Sequence, residues 1–135
     1  MKADLAEVSA SYVRKHSLVV VGAFALMIAP LEAKGYRWNC EYSKIASLEG
    51  LKADQFKLEF AYDDATQKAI IIGNNGLADV EFQGGPLGVT FLERLPTGVV
   101  QSTTVANDGT SVHSRHTIMG TKMLASQYYG RCVLK

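Results

Sequence analysis

From Tyr36 onward the chain alternates. Tyr36, Trp38, Cys40 and Tyr42 stand between Arg37, Asn39, Glu41 and Ser43, and Phe56, Leu58, Phe60 and Tyr62 stand between Lys57, Glu59 and Ala61. In an extended strand successive side chains point to opposite faces, so each of these segments carries one apolar face and one mostly polar face. A helix would scatter the same residues around its circumference. A chain patterned in this way builds sheet and must bury one face of it.

Turn chemistry divides the rest. Asp63 to Gln67 separates Tyr62 from Lys68–Ile72, and Gly73, Asn74, Asn75 and Gly76 tolerate positive φ and turn that strand tightly into Leu77–Gln83. Gly84, Gly85 and Pro86 precede a strand over Gly88–Leu95, and Pro96, Thr97 and Gly98 precede one over Val99–Ala106. Asn107, Asp108 and Gly109 lead into Ser111–Met119, and Ser126–Leu134 reads as a last strand with Tyr128, Gly130 and Cys132 on one face. Residues 44–55 break the rhythm: Ile45, Leu48 and Leu51 recur every third residue and suit one short helix or an ordered loop. About eight short antiparallel strands at this spacing imply an all-β up-and-down barrel or compact sandwich, because a single open sheet would leave its apolar face wet.

Ahead of this domain, Arg14, Lys15 and His16 precede an uncharged stretch from Leu18 to Leu31, which ends at Glu32, Ala33 and Lys34. The stretch is shorter than the roughly 20 residues of a spanning helix and is interrupted by Gly22 and Pro30. Residues 1–33 therefore read as a signal peptide cut after Ala33, with an uncleaved anchor as the lesser alternative, and residues 34–135 as one β domain. The expected location is periplasmic or secreted, with the membrane met only transiently through the leader.

In such a compartment thiols oxidise, and Cys40 and Cys132, one near each end of the β domain, have a single intramolecular pairing open to them. A redox pair or a metal site would need CxxC spacing or further ligands beside the thiols, and neither is present. The net charge is +1 and basic residues are interspersed with acidic ones, which leaves no footprint for nucleic acid. Asp79 and Glu81 alternate with Val80 and Phe82 and read as a solvated strand face. The sequence calls for no cofactor and no metal.

The most polar strand, Ser111 to Met119, holds both histidines of the β domain. If Val112 and Ile118 face the interior, Ser114 and His116 face it too, while His113, Arg115 and Thr117 face out. Two readings follow. Ser114 and His116 are hydrogen-bonded interior groups that pin the strand register, or they line a small cup with Thr103 and Gln101 and orient a ligand among Trp38, Tyr42, Phe60 and Phe91. Arg115 joins Ser114, His116, Trp38 and Thr103 as a candidate ligand contact.

With an export signal, a Trp-x-Cys opening strand at Trp38–Cys40, a meander of short strands and a Gly-x-Cys closing strand at Gly130–Cys132, the layout resembles the small periplasmic inhibitors of c-type lysozymes. The resemblance is one of architecture, and no inhibitory residue of that family carries over. It implies an envelope binding module that presents a basic side chain such as Arg94, Arg115 or Lys122 to an acidic cleft of an unknown protein partner. The alternatives are a carrier of a small apolar ligand inside the barrel, and an enzyme that uses the His113–His116 strand.

Overall fold

A computed structural model describes residues 34–135; the signal-peptide reading of residues 1–33 lies outside the described residues. Eight strands follow one another: β1 (Gly35–Ser47), β2 (Gly50–Asp63), β3 (Lys68–Gly73), β4 (Gly76–Gly85), β5 (Gly88–Arg94), β6 (Val100–Ala106), β7 (Thr110–Met119) and β8 (Lys122–Leu134). Each pairs antiparallel with the next, and β8 returns to β1, so the sheet closes into an up-and-down barrel rather than a sandwich. Closure gives every strand two neighbours, although β2 before Glu59 is paired only with β1 and β7 beyond Arg115 only with β8.

The seam where β8 meets β1 carries the disulfide. Cys40 and Cys132 are direct cross-strand partners and are bonded, tying positions 92 residues apart. Gly130 sits beside them because nothing larger fits: a Cβ there would lie 2.0 Å from the Glu41 carbonyl oxygen and 2.6 Å from Tyr42 Cα. The same stretch holds a bulge at Tyr42–Lys44, where the register shifts against both neighbouring strands and the inward face passes from Tyr42 to Ile45.

That bulge explains the first departure from expectation. Residues 44–55 form neither a helix nor a loop; β1 and β2 run on through them as a hairpin, with Ser47 paired to Gly50 across the Leu48–Glu49 turn. Gly50, at φ 99°, supplies the left-handed residue this turn needs. The three-residue spacing of Ile45, Leu48 and Leu51 is not a helical face, since Leu48 is 90% exposed and Leu51 64%.

The barrel interior is packed with rings. Trp38 meets Phe91 edge-on at 5.2 Å, Phe60 stacks on Phe91 at 4.2 Å and Tyr62 stacks on Phe82 at 4.0 Å. These fill the half of the barrel that holds the start of β1 and the end of β8. Toward the other half, Phe56, Tyr42, His113 and Tyr128 form a second cluster, with Phe56 and Tyr128 4.6 Å apart. Buried aromatics of this kind contribute heavily to stability through area and ring contacts.

Candidate functional site

Up-and-down topology sends alternate turns to opposite ends. One end holds the β2–β3, β4–β5 and β6–β7 turns together with the start of β1 and the end of β8; here it is called the terminal end. The other, the mouth, holds the β1–β2, β3–β4, β5–β6 and β7–β8 turns. β1, β2 and β8 run 13 to 14 residues and β7 runs 10, whereas β3, β5 and β6 run only 6 to 7. The β1–β2 and β7–β8 hairpins therefore reach past their neighbours at the mouth.

Their tips are apolar and exposed. Leu48 and Leu51 crown the first hairpin, and Ile118, Met119, Met123 and Leu124 crown the second, at 50%, 63%, 59% and 44% exposure. Burying one such side chain fully is worth about 1.5 to 3 kcal/mol, a gain this barrel leaves largely unrealised in Leu48 and only partly realised in the others. Between the tips lies an open cleft of about 570 Å³ lined by Ser47, Leu48, Glu49, Arg115, Thr117, Met119, Leu124, Ala125 and Ser126.

The floor of that cleft is set by the parity of β7, and here the expected assignment is reversed. Ser111 and His113 are buried at 4% and 2%, and Arg115 and Thr117 follow them on the inward face. Ser114 and His116 point outward. Val112 is only partly buried and Ile118 is exposed, so the apolar residues taken as inward markers lie on the outer face of the wall. The two histidines still diverge, but in the opposite sense. Ser114 accepts from Gln127 Nε2 at 3.4 Å on the outside, and Tyr129 donates to the same glutamine at 2.7 Å.

The other candidates fall in separate places. Trp38 (8% exposed) lies in the aromatic packing of the terminal half and lines no open cup with Thr103. Thr103, 1% exposed, places Oγ1 2.7 Å from His113 Nδ1. Gln101 is directly paired with Arg115 on β7, and Arg115 with Ser126 on β8. Arg94 is held on the outer wall by Glu81, Nε to Oε1 2.5 Å. Lys122 opens β8 at the mouth and is exposed.

Beneath Arg115 is a buried polar chain. Ser111 donates to the Thr104 carbonyl at 2.9 Å, which leaves its oxygen to accept from Tyr42 Oη at 3.0 Å. Burial pushes the Tyr42 hydroxyl up to about 12, against the opposing hydrogen bonds of Ser111 and Thr103. Burial, reinforced by the Arg115 charge, pushes His113 down to about 4. The ring is therefore neutral at ordinary pH, and its Nε2 has no hydrogen-bond partner among the described residues. The Arg115 guanidinium lies 6.0 Å from the centre of the Phe56 ring.

The interspersion of basic with acidic residues expected along the domain stops at Asp108, a signal that marks this region independently of strand parity. No Asp or Glu follows Asp108, so β7, β8 and the turn between them carry Arg115, Lys122 and Arg131 with no acidic residue among them. The ion pairs of the described residues, Arg37–Glu59, Lys52–Glu49, Lys57–Glu41 and Arg94–Glu81, all use basic groups from β1, β2 and β5. Arg115 has no carboxylate within 4 Å among the described residues. No group of three or more His, Cys, Asp or Glu side chains among them is placed to hold a metal ion. Compared with known proteins, the chain matches no family model, no curated protein and no solved structure.

Proposed function

We propose that this chain is an exported binding module of the bacterial envelope that engages a protein partner through the mouth of its barrel. The observation that carries this reading is the crown of leucine, isoleucine and methionine side chains exposed on two adjoining hairpin tips. Of these, Leu48, Met119 and Leu124 line one cleft; exposed apolar surface of this kind marks interaction sites, and flexible methionines adapt to a partner's shape. The partner's face is acidic, because the β7–β8 hairpin beneath the tips bears only basic charge. The disulfide is compatible with an oxidising compartment and supports export.

The packing argues against a carrier of the expected kind. Tyr42, Phe60 and Phe91, expected to line a cup, are each 1% exposed and pack within the aromatic core. The enzyme reading draws no support from the histidines, which stand on opposite faces of the wall. A photo-crosslinking residue at Met119 tests the proposal against a control at Leu87, an equally apolar side chain 83% exposed on the β4–β5 turn of the terminal end. A discrete protein adduct formed from position 119 in envelope extracts, absent from position 87 and weakened by Lys122→Glu, is the expected result. No adduct at 119, or the same adducts from both ends, would overturn it.

A further inference from the structure

We infer that the cleft between the two hairpin tips is a binding site for an amphipathic anion, a carboxylate or phosphate head on an apolar chain. The inference uses the same mouth as the proposed function but does not depend on a protein partner. Its volume, about 570 Å³, lies within the usual range of small-ligand sites. The cleft has a cationic floor and apolar lips. Arg115 occupies the inward face of β7, and Met119 two positions beyond Thr117 shares that face, while Leu124 is the direct cross-strand partner of Thr117. Leu48 closes the opposite side from the β1–β2 turn.

Charge decides the sign of the ligand. The carboxylate in the cleft lining is Glu49, and it is engaged by Lys52 on its own hairpin. Arg115 has no such partner among the described residues, and its guanidinium is partly sheltered by the wall and by the Phe56 ring. A planar five-donor fork left without an acceptor suits an anionic oxygen pair, and a sheltered setting strengthens that interaction relative to open solvent. The hydroxyls of Thr117 and Ser126 line the same floor and offer further donors to the head group. The apolar chain then lies along Met119, Leu124 and Leu48, covering surface that is otherwise exposed.

The ligand does not enter the barrel itself. Below Arg115 the interior is occupied by Phe56, Tyr128 and the neutral ring of His113, with Phe56 5.4 Å from the His113 ring and 4.6 Å from that of Tyr128. That packing makes a floor, and it keeps a second positive charge away from the head group because His113 is held unprotonated.

Isothermal titration of the β domain with dodecanoate, dodecyl phosphate and dodecanol, each below its micelle concentration, tests the site. One anion or both should bind saturably, one per barrel, with dodecanol at least tenfold weaker; the ratio of the two anions identifies the head group. Arg115→Gln should lose at least tenfold in affinity for the anions and leave dodecanol unchanged, while Arg115→Lys keeps part of the affinity. Unfolding midpoints confirm that each variant is folded, and Leu124→Asp, which places a negative charge in the lip, should give the same loss if Arg115→Gln is not. Absence of saturable binding of either anion, or equal anion affinity in folded Arg115→Gln and wild type, would overturn the inference. Either result leaves the crosslinking contrast between Met119 and Leu87 to be decided separately.

Discussion

The two ends of this barrel are built by opposite rules. At the terminal end the turns bond to one another: Asn107 donates to the carbonyls of Pro86 and Leu87, Cys132 N to Gly109 O at 2.8 Å, Lys135 N to Arg37 O at 2.9 Å, and Lys34 N to Asp64 Oδ1 at 2.8 Å. At the mouth, the turn hydrogen bonds and the ion pair stay within single loops, as in Glu49 N to Ser47 Oγ, Lys52 to Glu49, and Leu95 N to Val99 O. Both halves bury aromatics and both ends expose apolar side chains, but those of Leu48, Met119 and Leu124 at the mouth line one cleft between two hairpin tips. One end ties its elements to one another and the other keeps its turn bonds local, and the proposed function places binding at that less braced end.

Mutations should separate the two ends by size of effect. Replacing both Cys40 and Cys132 by serine removes a closure spanning 92 residues. On the chain-entropy model this costs about 4 to 5 kcal/mol, read as a fall in the unfolding free energy in urea. Phe91→Ala, which empties a ring contacted by Trp38, Phe60 and Phe82, should cost about 3 to 5 kcal/mol in the same assay.

His113 adds a pH dependence that lies on the border between the two ends. Its folded pKa, about 4, lies below the ordinary value of 6.5, so the fold favours the neutral ring. Above pH 6.5 both states are neutral and the contribution is fully present. As pH falls from 6.5 toward 4 the unfolded chain takes up the proton first, and stability declines by about 3 kcal/mol before levelling off. The difference between the pH profiles of wild type and His113→Gln isolates this ring from the carboxylates. A flat difference across that window would mean the histidine is exposed.

The smallest stability effect belongs to the mouth. Met119→Ser or Leu48→Ser should change the unfolding free energy by less than about 0.5 kcal/mol, because neither side chain is packed. Their effect should appear in binding instead.

Most of the strands could be read locally, because period 2 and Gly, Asn, Asp and Pro turns are local signals. The inward set Trp38, Cys40, Tyr42, Leu58 and Phe60 follows from alternation alone. The tip of the first hairpin was hidden because the bulge at Tyr42–Lys44 resets the alternation within a few residues. The parity of β7 does not follow from its apolar residues, because along the whole strand the wall inverts, with Ser111, His113, Arg115 and Thr117 inside and Val112 and Ile118 outside. Alternation alone does not tell a barrel from a sandwich, because closure depends on the long-range pairing of β1 with β8; the sequence signal for it is the Cys40–Cys132 pair, which links the first strand to the last and favours closure. The acid-free stretch after Asp108 is masked when charge is averaged over the whole domain, yet it points at the mouth without any knowledge of parity.

The division of labour between the ends is tested most directly by urea unfolding of the triple variant Leu48→Ser, Met119→Ser, Leu124→Ser. An unfolding midpoint close to that of the wild type, despite the loss of three large apolar side chains, is the predicted result. A drop of about 2 kcal/mol or more would show that the tips are part of the core and would contradict the account.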